Sequence, residues 1–582
     1  MQSKNNKINL YYSEGKVKTM VRLFTQHKIR RQKELEGFWD FAILEDRENI
    51  FNKSFTHKMW VPGCWETYPE FSNYRGKALY KTIIECDNNT NLRLIFKGVS
   101  HTAEVYFDNI KVANHYNAYT QFDTIIKNVE KGKHELLVLV DNSFSNDSVL
   151  HIPNDYFTYG GIIRPVVMEE IEDIFIERLE FSPTWIKDNT WAAEISIYVR
   201  NVSSKEFTIK VKGNLDDYEL DFGIWNVREN QLIKITKRFE FNDVKVWSSE
   251  NPHLYLLNVR LWNEDDKCID DLIERVGFRE VKIKSNRIYL NGKPVFFKGF
   301  NRHEDHPDYG CALPLQIMVK DIMLIKQSGA NMIRTSHYPN DERFLDLCDE
   351  FGIYVWEENH ARGLTLQHMQ NPNFDIQCEN CNREMVLNHY NHPSIVIWGI
   401  LNECASQTPE GREKYKKQIE QIKGMDKTRP ITFASCMHFS DLCLDLVDIV
   451  SMNVYSGWYE DRDTNEFFDK LYSWIQQAGG AGKPIIISEF GAEGLYGFRD
   501  PFSRVKWSEE RQADILEDNL IVYLNREEIS GALIWQFCDC KVTEEGKVFL
   551  GRARTKNNKG VFDEYRRPKI AYDIVKRFFS QK

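Results

Sequence analysis

The sequence lacks any run of about 18 uncharged apolar residues, which a membrane-spanning helix requires. The polar stretch from Met1 to Lys7 also lacks the apolar core of a secretory signal, so we expect a cytoplasmic protein with no membrane partner. An excess of basic residues is missing too, because the net charge is −10 and the isoelectric point is about 5.9. This balance argues against a nucleic-acid partner.

Matched pairs of cysteines, which zinc sites use, are also missing. The chain has 12 scattered cysteines, of which Cys378 and Cys381 form one CxxC and Cys538 and Cys540 one CxC. No second pair follows at matched spacing. Isolated thiols are the default in a reducing cytosol, so we predict neither a metal site nor a redox role.

The 582 residues are too many for one hydrophobic core and predict several domains. Short strands separated by polar breaks predict one β-sandwich over residues 21–180 and an immunoglobulin-like sandwich over 181–283. Asp108 and Asn109 form a candidate hairpin turn in the first of these. Residues 1–20 read as a flexible extension.

From residue 284 to 582, apolar runs alternate with amphipathic helical stretches. Eight such units in about 300 residues are typical of a (β/α)8 TIM barrel. Gly329 is a candidate C-cap of the first helix. The eight predicted strands are Val295–Phe300, Asn331–Thr335, Ile353–Glu357, Ile395–Trp398, Ile431–Ala434, Asp448–Asn453, Ile485–Ile487 and Ala532–Trp535.

Two glutamates follow or end apolar runs of this predicted barrel. Glu403 follows the fourth strand and Glu489 ends the seventh. Because barrel chemistry lies at the carboxyl ends of the strands, both side chains can face one cleft. A glycoside hydrolase needs two carboxyl groups that flank one bond. An ion-pair role for one glutamate is the simpler alternative.

Histidines and acids are also dense at the predicted strand ends. His303 and His306 enclose two acids, and this stretch could supply metal ligands. It is not a helical HExxH and has no matched third ligand, so a metal-dependent hydrolase is a minor alternative. Barrel-rim hydrogen bonding accounts equally well for each histidine alone.

Several of these stretches together resemble glycoside hydrolase family 2, and within it the β-glucuronidases. The resemblance covers nearly the whole chain from about residue 21. It rests on the stretches Lys298–Asp305, Arg334–Pro339, Trp398–Glu403, Ser488–Gly491 and Trp247–Tyr255.

The resemblance implies an N-terminal jelly-roll β-sandwich, an immunoglobulin-like β-sandwich and a C-terminal catalytic TIM barrel. It also implies a retaining β-glucuronidase with Glu403 as acid/base and Glu489 as nucleophile. The further positions that it implies for substrate binding are Asp155, His337, Asn402, Asn453, Tyr455, Tyr459, Trp535, Asn557 and Lys559.

The sugar is suggested by the stretch around Asn557 and Lys559, which looks like the element that holds a glucuronate carboxylate. A solvated basic loop is the alternative, since the stretch is rich in Lys and Arg. An additional arginine of this element could be Arg552 or Arg554. Other readings are a β-galactosidase, a β-galacturonidase or a catalytically silent sugar-binding homologue.

The resemblance implies small-molecule glucuronides as the partners and a homo-oligomer, either a dimer or a tetramer. The implied reaction requires no cofactor. Some gut bacterial members are thought to bind a flavin nucleotide at their surface, and the sequence leaves that question open.

Overall fold

The structure is a computed structural model that describes residues 21–45, 48–543 and 551–581. The predicted extension over residues 1–20 lies outside the described residues. Two β-sandwiches precede a parallel barrel, so the predicted fold class is confirmed. No helix in the described ranges is long and apolar enough to cross a bilayer.

The first sandwich forms because its strands alternate apolar and polar residues, which buries one face of each sheet. Asp108 and Asn109, with φ of +47° and +66°, form the hairpin turn that the sequence predicts. Its strands are β1 (Arg31–Glu34), β2 (Gly37–Leu44), β3 (His57–Val61), β4 (Lys77–Cys86), β5 (Thr90–Phe96), β6 (Val99–Ser100), β7 (Thr102–Phe107), β8 (Ile110–Tyr116), β9 (Phe122–Val129), β10 (Gly132–Asp141), β11 (Gly161–Ile162) and β12 (Val166–Ile171). Their sheets have the orders β1-β12-β5-β9, β3-β2-β4-β10-β7-β8 and β11-β6.

The second sandwich contains the strands β13 (Ile174–Lys187), β14 (Thr190–Asn201), β15 (Phe207–Leu215), β16 (Tyr218–Val227), β17 (Leu232–Phe241), β18 (Tyr255–Trp262) and β19 (Cys268–Val276). It packs a sheet of order β13-β14-β17 on one of order β16-β15-β18-β19. The chain passes between the sandwiches at residues 172–173, and β13 runs through the predicted boundary at 180. Residues 174–181 contain no turn residue, and Ser182 and Pro183 lie within the strand beyond that boundary.

A small sheet leads into the parallel barrel, whose strands are fully buried apolar runs. The eight predicted strands are present, and the fifth is split at Phe433 into two short pieces. The small sheet contains β20 (Val281–Lys284), β21 (Arg287–Leu290) and β22 (Lys293–Pro294). The barrel contains β23 (Phe297–Asn301), β24 (Met332–Arg334), β25 (Tyr354–Glu358), β26 (Ile395–Gly399), β27 (Ile431–Thr432), β28 (Ala434–Ser435), β29 (Val450–Asn453), β30 (Ile485–Phe490) and β31 (Ile529–Ile534).

Eight α-helices accompany the barrel in the described ranges. Met318, Ile322 and Ile325 form the buried face of the first helix, and Gly329 follows its end with φ of +80°. A Cβ at Gly329 would lie 2.9 Å from the backbone of Phe579, so this position needs glycine. The helices are α1 (Leu315–Gln327), α2 (Glu342–Phe351), α3 (Leu366–Met369), α4 (Phe374–His389), α5 (Pro409–Met425), α6 (Thr464–Gln477), α7 (Glu509–Tyr523) and α8 (Ala571–Phe579).

After β31, the short strands β32 (Cys540–Lys541) and β33 (Lys556–Asn557) pair antiparallel. The first sandwich and the residues just before it are joined to the barrel by buried ion pairs. Arg22 Nη2 lies 2.9 Å from Asp346 of α2, and Arg164 Nη2 lies 2.8 Å from Glu304. These contacts hold the first sandwich over the strand ends.

A buried carboxylate also ties the C-terminal segment to the barrel. Asp321 of α1 accepts hydrogen bonds from Arg302 Nε at 3.0 Å and from Arg566 Nε at 2.9 Å. The two arginines make Asp321 a carboxylate, and they hold its pKa below its usual value against the effect of burial.

We predict that Asp321→Ala lowers the free energy of unfolding by about 3–5 kcal/mol, because two buried guanidinium groups lose their partner. Urea unfolding followed by circular dichroism measures the change. The control Glu527→Ala removes a carboxylate that is 92% exposed, and it should change stability by less than about 0.5 kcal/mol. Equal effects of the two substitutions would contradict the prediction.

Candidate active site

Glu489 lies on β30, where its side chain is buried at the carboxyl end of the barrel. Its Oε1 accepts a hydrogen bond from Arg334 Nη1 at 2.8 Å. Its Oε2 accepts one from the hydroxyl of Tyr455 at 2.7 Å. Two donors therefore fix the carboxyl group in one orientation.

Arg334, the last residue of β24, is fully buried and links several strand ends. Besides Glu489, it donates to Glu358 from Nε at 2.8 Å and from Nη2 at 2.9 Å. It also donates to Asn301 at 2.9 Å and to Asn402 at 2.8 Å. One guanidinium group thus positions side chains from barrel strands one, three, four and seven.

Glu403 follows β26 in a tight segment where both it and Leu401 have positive φ, +50° and +45°. The backbone N–H of Glu403 donates to Ala434 O at 2.9 Å, which fixes this conformation. Its Oε1 accepts from Asn453 Nδ2 at 2.8 Å, and its Oε2 lies 3.4 Å from Arg362 Nη2. Non-glycine residues with positive φ are concentrated at functional sites.

Glu403 and Glu489 meet in one hydrogen-bonded network. Asn453 contacts both Glu403 and Asn402, and Asn402 in turn accepts from Arg334, the partner of Glu489. Burial raises the pKa of Glu489 to about 7, and the negative charge of Glu403 adds to this effect. The hydrogen bonds from Arg334 and Tyr455 act in the opposite direction.

His337 and Trp535 form one wall next to this network. Their rings stack with a centroid distance of 4.9 Å, and His337 Nδ1 lies 2.8 Å from Glu358 Oε1. Burial and the charge of Arg334 hold the pKa of His337 well below its usual value, so the ring is neutral. Within the described ranges, His337 Nε2 and Asn402 Nδ2 are buried without a partner, so both can serve a ligand.

Asp155 enters from the first sandwich, on the segment between β10 and β11. Its Oδ2 accepts from Asn557 Nδ2 at 2.9 Å, and its Oδ1 accepts from Arg552 Nε at 2.9 Å. A residue some 400 positions away in the chain therefore contacts the C-terminal segment.

Lys559 lies in the same group and is buried. Its Nζ is 3.4 Å from Glu493 Oε1 and 5.2 Å from the ring centroid of Tyr459. The ring of Tyr455 lies 5.8 Å from this Nζ, so Lys559 is adjacent to the partner of Glu489. The group formed by Asp155, Glu493, Arg552, Asn557 and Lys559 is called the basic cluster below.

The structure also distinguishes the two arginines that the sequence left open. Arg552 bonds to Asp155, to Glu493 and, at 3.5 Å, to the hydroxyl of Tyr459. Arg554 turns away and contacts Glu564 at 3.2 Å. Arg552 is therefore the arginine of the basic cluster.

Ten of the eleven side chains that the sequence proposes for catalysis and binding belong to this network, its wall or the basic cluster, and Tyr459 contacts the basic cluster. The site also contains four charged residues that the sequence prediction did not include, Arg334, Glu358, Arg362 and Glu493. A sequence signal existed for three of them. Arg334 is the penultimate residue of a predicted strand, Glu358 directly follows another, and Glu493 lies four residues after Glu489. Arg362 lies in a polar loop and gives no such signal.

The candidate metal ligands of the stretch 303–306 do not converge. His303 stacks on Tyr156, Glu304 pairs with Arg164, and Asp305 accepts from Tyr159. Elsewhere in the described ranges, Asp346, Asp349 and His392 lie close enough to hold an ion. Both of these carboxylates are already engaged, by Arg22 and by His392 at 2.6 Å. This second group therefore reads as a structural ion-pair network.

Family comparisons match each domain in turn. The sugar-binding domain of glycosyl hydrolases family 2 matches residues 32–171, the central family 2 domain matches 174–279, and the TIM-barrel domain matches 281–581. A β-glucuronidase of Streptococcus agalactiae is 28% identical, over 95% of this chain and 96% of that protein.

Solved structures agree with these matches. A family 2 β-galacturonidase from Eisenbergiella tayi, bound to galacturonate, is 47% identical with a TM-score of 0.91, over 97% of this chain and 99% of that one. A β-D-glucuronidase of Dictyoglomus thermophilum is 26% identical with a TM-score of 0.83, over 95% and 98%.

The paired glutamates at the strand ends, the three domains in their order and these matches lead to one conclusion. The chain belongs to glycosyl hydrolases family 2 and is a glycoside hydrolase.

Proposed function

We propose that this glycoside hydrolase cleaves β-glycosides of hexuronic acids with retention of configuration. The observation that carries the proposal is the basic cluster beside the paired glutamates, because Arg552 and Lys559 supply two cations where a sugar carboxylate would bind. Arginine and lysine are the residues that bind carboxylates through charge-assisted hydrogen bonds. Asp155 and Glu493 already contact these cations, but Lys559 Nζ makes only one hydrogen bond, at 3.4 Å to Glu493, among the described residues and so retains donors for a sugar carboxylate that a neutral hexoside lacks.

In the proposed reaction, Glu489 attacks the anomeric carbon as a carboxylate while Glu403 donates a proton to the glycosidic oxygen. The bond to the aglycone breaks, and a covalent glycosyl-enzyme forms on Glu489. Glu403, now a base, removes a proton from water, which attacks the same carbon and releases the sugar. Arg334 and Tyr455 orient Glu489 for the first step.

Remaining side chains of the network have proposed roles in binding the sugar. Asn402 Nδ2, which lacks a partner in the described ranges, would donate to the 2-hydroxyl next to the reacting carbon. Asp155 would accept from hydroxyl groups farther along the ring, and Trp535 and Tyr459 would pack against its faces. Asn453 would hold Glu403 in place.

Two epimeric substrates are candidates. β-Glucuronides are supported by the curated relatives, such as the protein from Streptococcus agalactiae at 28% identity. β-Galacturonides are supported by the protein from Eisenbergiella tayi at 47% identity. Because this identity is higher, galacturonides should be assayed first. The two sugars differ only at carbon 4, so the basic cluster suits both.

We further propose a cytoplasmic homo-oligomer, a dimer or a tetramer, whose reaction needs no cofactor. Light scattering after size exclusion measures the oligomer, and activity in chelator excludes a required metal ion. A surface flavin nucleotide, if bound, takes no part in this reaction.

We predict that Glu489→Ala lowers kcat on an aryl hexuronide by roughly 10⁴-fold or more, because the nucleophile is lost. Thermal unfolding of the variant should remain cooperative. The control Glu527→Ala should keep wild-type turnover. Wild-type turnover by the Glu489 variant would reject its role as nucleophile.

The pH profile should report the hydrogen bond that Tyr455 donates to Glu489. Burial and the negative charge of Glu403 raise the pKa of Glu489 to about 7, this hydrogen bond opposes them, and turnover requires Glu489 ionised. Tyr455→Phe removes the hydroxyl, so the acid limb of kcat/KM should move to higher pH. An aryl substrate with an activated leaving group keeps the variant measurable. An unmoved acid limb would mean that the hydroxyl does not stabilise the Glu489 carboxylate.

Lys559 should discriminate between uronides and neutral hexosides. A Lys–carboxylate pair at about 4 Å gives a Coulomb energy of about 4 kcal/mol at an effective dielectric constant near 20, and desolvation offsets part of it. Lys559→Ala should therefore lower the ratio of kcat/KM for glucuronide over glucoside, or galacturonide over galactoside. The exposed Lys576→Ala is the matched control. An unchanged ratio of kcat/KM would mean that a residue other than Lys559 binds the sugar carboxylate.

A further inference from the structure

Glu493 is a buried acid that the proposed reaction does not use. It follows the end of β30 by three residues and is 3% exposed. Its Oε1 accepts hydrogen bonds from both Arg552 and Lys559. Its Oε2 is buried and has no partner within the described part of the chain.

A carboxylate oxygen without a partner, placed beside the cations expected to hold the sugar, can take a donor that arrives with the ligand; Glu564 Oε2 also lacks a partner in the described residues but lies outside the basic cluster. Buried polar atoms almost always have a hydrogen-bond partner, and a carboxylate can only accept. The atom lies in the basic cluster, beside the two cations expected to hold the sugar carboxylate. A hexuronide offers hydroxyl groups as its donors, so Glu493 Oε2 is suited to bind one of them.

The position of the carboxylate on the sugar ring indicates which hydroxyl group Glu493 can bind. The carboxylate of a hexuronic acid is carried by carbon 5, and the hydroxyl group closest to it is the one on carbon 4. A residue that contacts Lys559 through one oxygen can therefore meet this hydroxyl with the other. The orientation of the 4-hydroxyl is the single difference between glucuronides and galacturonides.

We propose that Glu493 is a specificity-determining residue, whose Oε2 accepts the hydrogen of the 4-hydroxyl and so selects one epimer. This proposal rests on the proposed hydrolysis of hexuronides. Arg552 supports it, because this arginine bonds to Glu493 on one side and to Asp155 on the other. The two carboxylates are thereby held in a fixed relation, and an axial and an equatorial hydroxyl cannot meet Glu493 equally well.

The test measures kcat/KM of the wild type and of Glu493→Gln on three aryl β-glycosides: the glucuronide, the galacturonide and a 4-deoxy-hexuronide. The amide keeps the size of the side chain and removes the charge. We expect kcat/KM for the preferred epimer to fall by roughly 100-fold, since sites built to bond a hydroxyl discriminate strongly. The 4-deoxy substrate should change by less than about 3-fold, because it has no 4-hydroxyl to lose.

Glu564→Gln is the matched control. Glu564 is also buried and also accepts hydrogen bonds from two cations, Arg554 and Lys556 of the same segment. Its substitution should leave the ratio between the two epimers unchanged. Glu493→Asp provides a second variant if Glu493→Gln does not fold. Its side chain is one methylene shorter, so kcat/KM for the preferred epimer should fall relative to kcat/KM for the other epimer.

Equal losses on all three substrates would overturn the proposal, because Glu493 would then only position Lys559 and Arg552. Unchanged kinetics on all three would overturn it as well. Absence of wild-type activity on every hexuronide, together with activity on a neutral hexoside, would reject the proposed function itself. The first two outcomes leave that function intact, so the two failures are distinguishable.

Discussion

The site depends on the buried guanidinium group of Arg334. Its hydrogen bonds reach Glu489, Glu358, Asn402 and Asn301 at 2.8–2.9 Å, and its Cζ lies 4.8 Å from the ring centroid of Trp356. A buried cation is stable only when it is paired and hydrogen-bonded, so these partners and Arg334 require one another. Removal of Arg334 would leave the buried Glu489 and Glu358 without their cation and would remove the hydrogen bonds that link several strand ends.

The barrel does not complete the site alone, because Asp155 comes from the first sandwich. Arg552 and Asn557 meet this carboxylate from the segment that follows the last barrel strand. The basic cluster therefore depends on the position of the first sandwich relative to the carboxyl ends of the barrel strands. Buried ion pairs such as Arg164–Glu304 and Arg22–Asp346 keep that position. The basic cluster is thus built from two domains, whereas Glu489 lies on a barrel strand and Glu403 follows one closely.

Much of the fold could be predicted, because parallel strands buried on both faces are continuous apolar runs. The eight predicted runs correspond to the eight barrel strands, and Glu403 and Glu489 follow from their positions at strand ends. Two details could not be predicted. The split of the fifth strand at Phe433 has no signal in an apolar run, and β13 crosses the predicted boundary at 180 because nothing local ends it.

By itself the sequence determined the order of the domains, the barrel and the pair of glutamates, since periodicity and strand ends are local properties. Only the tertiary structure decided which of Arg552 and Arg554 joins the site, since both arginines have the same charge and neighbouring places in the chain. It also decided that Lys559 lies against Glu493, a contact between residues 66 positions apart. Contacts of this kind depend on how distant segments pack, which no local pattern records.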